Sequence, residues 1–199
     1  MRDQYYGDKR DLIKWGVLLH LAEEYGLQRI IQVAYLRATS WGKLEIDGKE
    51  YPLPERVTHH FRNVRNIRYL TDDPVIQVLD SPFSDRDTYL SEILSAVGAT
   101  HGANCLLSLD PDTGSEPRSR HDWEHVLDSE INEIWGALRD GDVLVCYQHQ
   151  PNRNGQEWIK PKRAQFARAL AVNCDAVKVG KAEQIARDVV FFYCLKNKQ

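Results

Sequence analysis

An apolar run, Asn104-Cys-Leu-Leu-Ser-Leu109, ends in Asp110-Pro111-Asp112-Thr113-Gly114. Carboxylates at the mouth of a buried strand are costly unless something pairs with them, so Asp110 and Asp112 are the first candidates for chemistry. Two hard oxygen donors this close could hold a divalent cation such as Mg2+, or meet the amine or hydroxyl of a substrate. Asp-Pro-Asp-Thr-Gly is also good turn chemistry, with Asp112 placed to bond its own backbone. His149 follows a second apolar run, 142–147, beside Asn152 and Arg153, and offers an imidazole for proton transfer or phosphate contact. Near the amino end Tyr6, Gly7, Asp8, Asp11 and Lys14 gather around a helix start, where unpaired N–H groups favour anions and Lys14 reaches the same place from the next turn. Asp8 and Asp11 are equally what ordinary helix capping demands, and for Asp11 that is the preferred reading.

Arg56, Arg62, Arg65 and Arg68 are interleaved with His59, His60 and Phe61. Such a run is either a solvated helix face or a surface that neutralises phosphates and stacks a base, which makes nucleic acid or a nucleotide the candidate partner. His121-Asp-Trp-Glu-His125 has the letters of the inverted zinc-peptidase motif. That chemistry needs both histidines on one helical face, whereas His121 is expected before the helix with Asp122 as its cap. No glycine-rich phosphate loop follows any apolar run.

The elements that must position these groups alternate. Residues 9–25 place Leu12, Trp15, Leu18, Leu19 and Ala22 on one helical face, stopped by Gly26. Short, continuously apolar runs at 29–36, 75–79, 104–109 and 142–147 have the pattern of strands covered on both faces. Helical stretches are expected at 85–97, 122–138 and 161–172, with Pro161 in a first turn. The tail is expected to carry a short helical segment, 182–187, between two strands that add an antiparallel pair at one edge. The fold class that follows is α/β, a doubly wound, mostly parallel, Rossmann-like sheet. Residues 37–66 break the alternation as an irregular insertion, with a small hairpin about Asp47-Gly48, inside one domain spanning 1–199. In such a sheet ligands sit beyond the carboxyl ends of the strands, where Arg37, Asp80, Asp110 and His149 all fall.

The chain has 199 residues and a formal charge of -3, so a nucleic-acid partner must be held by a local basic patch. Four cysteines, far apart and without a CxxC pair, read as reduced core residues of a cytoplasmic protein. No apolar stretch approaches the roughly 20 residues of a membrane span.

The order of these motifs resembles a known family. YYGDKRDLIKWGVLL (5–19) is similar to the amino-terminal segment of the ribosomal-RNA adenine-N6 methyltransferases. AYLRATSWGK (34–43) sits where they carry the cofactor strand, LSLDPDTG (107–114) where they carry the catalytic DPPY, and LRDGDVLVCYQHQPNRN (138–154) where they carry the next strand and loop. A looser resemblance is to the partner proteins of three-cysteine-motif systems, which place a DPxG box after a strand. The resemblance implies a Rossmann-like S-adenosylmethionine fold, with Asp8, Arg37, Thr39, Gly42 and Asp80 on the cofactor side and Asp80 at the ribose. It also implies that Asp110 orients the reacting amine or hydroxyl, that Asp8 and Lys14 shape the pocket floor, and that His149 contacts substrate. The chain departs from the pattern at three points. Arg37 stands at the acid position, a single Gly42 follows Thr39, Ser40 and Trp41, and Asp112 and Thr113 replace the second proline and the tyrosine of DPPY.

Three readings stay open at this level. One is a methyltransferase-related protein acting on nucleic acid or a nucleotide, its activity kept, altered or lost. Another is a Mg2+-dependent phosphodiesterase using Asp110 and Asp112 with His149 or Lys14. The third is a non-catalytic nucleic-acid-binding or regulatory module.

Overall fold

The structure, a computed structural model, describes residues 6–37, 42–61, 63–100, 102–117, 122–151 and 156–197, without the side chains of residues 58, 59 and 61. Thr39, Arg62, His121, Asn152 and Arg153 therefore lie outside the described residues, as do Ser40 and Trp41.

Six strands form the central sheet: β1 (Arg29–Val33), β4 (Val75–Leu79), β5 (Cys105–Leu109), β8 (Val143–His149), β9 (Lys178–Ala182) and β10 (Ala186–Leu195). Their order is β4-β1-β5-β8-β10-β9. The first four run parallel, with Ile31 opposite both Gln77 and Leu107, and Leu107 opposite Leu144. β10 is antiparallel to β8, and β9 to β10. The expected antiparallel pair is present, but no helix separates its strands. β9 and β10 are joined by a short turn through residues 183–185, so the segment expected as helix at 182–187 is a hairpin connection. Six residues hold fewer than two helical turns, too little to outweigh the pairing of β10 with β8 along 189–195 and with β9 at 186 and 191–193.

Both faces of the sheet are covered, which is why its central strands are apolar at most positions. Ile31, Val33, Leu107, Leu109, Leu144, Cys146 and Phe192 pack on one face, under α3 (Arg86–Gly98), α4 (Asp128–Ala137) and α5 (Ile159–Ala169). Ile30, Leu106, Val143, Val145, Tyr147 and Phe191 pack on the other, under α1 (Lys9–Glu24) and a 3-10 helix, Val64–Tyr69. Alternation along each strand thus sorts side chains by parity. Leu106 points toward α1, so Ser108 and Asp110 point that way too, and Val143 and Val145 carry Tyr147 and His149 with them.

The connection from β1 to β4 holds β2 (Lys43–Ile46), β3 (Lys49–Pro52), α2 (Glu55–Phe61) and the 3-10 helix. The hairpin turns at Asp47 (φ 52) and Gly48 (φ 74), the positive-φ pair that a two-residue type I′ turn requires. The expected helix 122–138 starts only at Asp128. Before it, β7 (His125–Val126) pairs with β6 (Gly114–Ser115). His125 is therefore a strand residue, and Asp122 caps no helix but accepts from the Glu124 N–H at 3.0 Å. That overturns the helical zinc-motif geometry. The α4 start is held instead by Glu130, whose carboxylate accepts from the Leu127 N–H at 2.8 Å and from Arg86 at 2.8 and 3.0 Å.

At the amino end of the sheet Asp142, fully buried, accepts from the backbone N–H groups of Cys105 and Arg139, both at 2.8 Å. It sets where β5 and β8 begin relative to each other. Asp142→Ala should strand both donors and cost about 3 kcal/mol of unfolding free energy, measured by urea denaturation.

Candidate functional site

Asp8, the N-cap of α1, accepts from the Arg10 and Asp11 N–H groups at 2.7 and 3.1 Å. The helix then turns a stripe of Asp11, Lys14, Trp15, Leu18 and Leu21 toward the sheet. Leu12, expected in that stripe, is 66% exposed. The stripe is rotated because its first turn delivers charge rather than hydrocarbon. Asp11 is buried and accepts from the Gly7 N–H at 2.6 Å and from Lys14 Nζ at 2.5 Å. It thus keeps a capping contact at the helix start and is also one partner of a buried ion pair, a role the capping reading left out.

Lys14, 3% exposed, donates again to Asp110 Oδ2 at 2.8 Å, and Gln32 Nε2 donates to the same oxygen at 2.9 Å. Gln32 is the one polar residue inside β1, and it shares the α1 face with Ile30. Burial pulls the Lys14 ammonium toward neutrality, but the two carboxylates outweigh it and hold it well above its ordinary range, so it stays charged. Burial raises the Asp11 carboxyl, an effect that Lys14 opposes.

Asp8, Arg10, Lys14, Asp110, Tyr147 and His149 line a pocket of about 250 Å3 at the carboxyl ends of β5 and β8, completed by Asp11, Pro111, Asp112 and Thr113. Arg10 donates to Asp188 at 2.5 Å, and His149 Nε2 lies 3.2 Å from the same carboxylate. His149 Nδ1 lies 3.1 Å from the Gln150 carbonyl. Arg37 pairs with Asp112 and reaches Glu124 at 3.1 Å. Tyr147 is 8% exposed and its hydroxyl has no partner among the described residues. Burial, and then the charge of Asp110, push its phenol up, so it remains a proton donor.

Four of the expected residues, Asp110, Asp112, His149 and Lys14, thus meet with Asp8 in one place. Of the rest of the expected cofactor set, Thr39 lies outside the described residues, Arg37 touches the site only through Asp112, and Asp80 and Gly42 lie apart from it. Asp80 follows β4, two strands away from β5, where it is paired with Arg65. Arg37 faces Asp112, and Gly42 leads into the β2–β3 hairpin, its carbonyl accepting from the Leu53 N–H. Arg10, Gln32, Tyr147, Glu124 and Asp188 were not singled out by sequence. For Tyr147 strand parity was a usable signal, and for Gln32 its polarity inside an apolar run. Arg10 and Asp188 lie 178 positions apart and carried none.

The residues do not fit a divalent cation. Asp110 already faces an ammonium and Asp112 a guanidinium, and a metal ion between them would meet both positive charges. Among the described residues no group of three or more His, Cys, Asp or Glu is arranged to hold a metal.

Nor do the described residues fit S-adenosylmethionine. Among them the region above β1 and β4 is packed by the chain itself. Leu36 bridges to Pro82, Phe83 donates its N–H to the Leu36 carbonyl at 2.7 Å, and Tyr35 (2% exposed) packs on Phe83 and Tyr89 at 5.0 and 5.2 Å between ring centroids. Arg86 lies over Phe83 and Trp123 and closes the stack from outside.

No family model matches the chain, and no curated protein does. Two solved structures are similar. One is a DUF574 family protein from Streptomyces avermitilis, at 10% identity over 94% of this chain and 82% of that one, with a TM-score of 0.42. The other is a candidate methyltransferase from Thermobifida fusca, at 10% identity over 96% of this chain and 80% of that one, with a TM-score of 0.39. The Rossmann-like assignment rests on the strand order and register described above. No helix among the described residues is long and apolar enough to cross a membrane.

Lys14→Met should leave Asp11 and Asp110 buried without their cation and cost about 3–5 kcal/mol in denaturant unfolding, while Lys14→Met with Asp110→Asn should recover a good part of that loss. His125 gives a pH signature. Its burial, then the positive charges of Lys162 and Arg86 against Asp122, hold it below its ordinary value. Below about pH 6.5 the unfolded chain takes up a proton that the folded one declines, so this contribution to stability is lost as pH falls through the folded value. His125→Gln, compared with wild type in melts from pH 7 downward, should flatten that part of the acid slope.

Proposed function

We propose that this chain is a methyltransferase-related, Rossmann-like protein that captures an amino-bearing base of a nucleotide or nucleic acid in the Asp110 pocket, its methyl-transfer activity lost with the closing of the cofactor crevice. The relation to methyltransferases draws on the motif order in the sequence, above all Asp110-Pro111-Asp112 after the strand beside β1. The binding role draws on the pocket.

One observation carries it, the balance of charge. Asp8, Asp11, Asp110, Asp112, Glu124 and Asp188 stand against Arg10, Lys14 and Arg37, and each of those cations is already held by two carboxylates. Among the described residues a phosphate entering here would meet more carboxylates than cations, whereas an N–H donor is matched by carboxylate oxygens. Next to those acceptors the Tyr147 hydroxyl is an uncommitted donor. An acceptor beside a donor matches the edge of adenine or cytosine, where an amino group adjoins a ring nitrogen, and mismatches a carbonyl beside a ring N–H. Asp110, held still by Lys14 and Gln32, accepts from the amino group, and Tyr147 donates to the ring nitrogen. His149, tied to Asp188, borders the sugar side. Phosphates stay outside, toward the arginines of 56–68, where Arg56 and Arg68 are exposed.

Calorimetry should show adenosine and cytidine binding at least about tenfold more tightly than inosine and uridine, because a carbonyl placed at Asp110 sets one acceptor against another. Tyr147→Phe should lose about tenfold for the amino-bearing nucleosides alone. S-adenosylmethionine should give no saturable heat. Equal affinity for adenosine and inosine would overturn the amine reading, and tight S-adenosylmethionine binding would restore the methyltransferase.

A further inference from the structure

The outward side of α1 carries a pattern that the fold does not use. Lys9, Leu12, Gly16, Leu19 and Glu23 follow one another at spacings of three, four, three and four, which sets them on one face of the helix. The face that packs on the sheet is a different one, with Asp11, Lys14, Trp15, Leu18 and Leu21. Lys9, Leu12, Gly16 and Glu23 are exposed, and Leu19 is half-buried. Two leucines about a glycine, closed by a cation at one end and an anion at the other, have the form of a helix–helix seam.

Three observations bear on what covers it. Gly16 lies mid-helix, where glycine is a poor helix former, and a Cβ there would meet nothing within 4 Å of its own chain. The missing side chain leaves room for a second backbone to come close. Beside it a cavity of about 410 Å3 opens between Leu12, Trp15 and Leu19 of α1 and Ile67 and Leu70 of the 3-10 helix. Its two acids are already bonded, Asp8 to Arg10 and Asp11 to Lys14, so the part left open is apolar. Lys9 and Glu23 have no ion-pair partner among the described residues. They stand seven positions before and seven after Gly16, about 10 Å either way along the helix axis.

We infer that a second copy of this chain covers the face, with the two α1 helices antiparallel about a two-fold axis at Gly16. The charged ends select that arrangement. Antiparallel, each Lys9 falls opposite the Glu23 of the other copy, whereas parallel helices would set Lys9 against Lys9 and Glu23 against Glu23. The same axis puts Leu12 of each copy beside Leu19 of the other, at the mouth of the apolar cavity, and brings the two Gly16 backbones together. The contact is isologous, the same patch meeting itself. A different partner helix would need an acid and a base at matching distances from a small residue, and this chain already has them. One helix pair makes a small interface, which places the dissociation constant in the micromolar range. The dimer stands apart from the proposed function, since none of the five seam residues lines the acidic pocket.

Sedimentation velocity of the whole chain from about 1 to about 100 μM should show a monomer–dimer equilibrium. Lys9→Glu alone and Glu23→Lys alone each turn both symmetry-related ion pairs into repulsions, and each should weaken the dimer about tenfold. Mixed in equal amounts, the two variants should form a heterodimer about as tight as the wild-type dimer, because each supplies the sign that the other lacks. Gly16→Gln suits a helix and meets nothing within one chain, so it should leave the circular dichroism spectrum unchanged and still weaken association about tenfold or more by holding the backbones apart. A wild-type chain that stays monomeric over the whole range overturns the inference. So does a dimer that Lys9→Glu and Gly16→Gln leave intact, which would put the contact on another surface. A dimer that both charge variants weaken, but that does not return on mixing them, overturns the antiparallel pairing about Gly16.

Discussion

The contact between Lys14 and Asp110 is the constraint on which the site depends. It joins the first helix to the end of a central strand across 96 positions of sequence, in a place where neither charge is tolerable alone. Because a buried ammonium needs its partners within hydrogen-bond reach, the helix cannot slide or rotate on the sheet without stranding one of three charged groups. The N-cap at Asp8, the exposed edge at Leu12 and the pocket between α1 and the strand ends are all placed by that one requirement. The exposure of Leu12 follows directly, since a helix turned to bury Asp11 and Lys14 must turn something else out.

The sheet supplies the other half of the geometry. Burial on both faces makes each strand apolar, and strict alternation then decides which end groups converge. Asp110 shares the parity of Leu106, and Tyr147 and His149 share that of Val143 and Val145, so all three look toward α1. On the opposite parity Tyr35, Phe83 and Tyr89 close the region above β1 and β4 into solid packing. One end of the sheet is therefore open on one side of β1 and filled on the other. Arg86 secures the filled side by bonding Glu130 and the carbonyls of Asp122 and His125, at 2.6 and 3.1 Å for the last two, which also holds β7 in place beside β6.

The architecture was legible in the sequence to a large degree. Continuous apolar runs at 29–36, 75–79, 104–109 and 142–147 correspond to the four parallel strands, and Asp47-Gly48 to the hairpin turn. The misreadings share a cause. Residues 122–127 have helical composition but serve as the partner of β6, and 182–187 are too short to form a helix once β9 and β10 pair. Local propensity is worth tenths of a kcal/mol per residue, and a strand that finds a pairing partner outweighs it.

Site chemistry divides along the same line. Residue types and their positions after strands were sufficient to nominate Asp110, Asp112, His149, Lys14 and Asp8, because polar groups at strand ends are a local pattern. Which of them would be neutralised, and by what, was not a local matter. Whether Asp110 meets a metal ion or an ammonium, whether Asp80 is open or covered by Arg65, and whether the region over β1 is empty or packed with Tyr35 all turn on residues 15 to 96 positions apart. Burial and charge compensation are properties of assembled neighbours in space, and a linear pattern of side chains holds no record of which neighbours those will be.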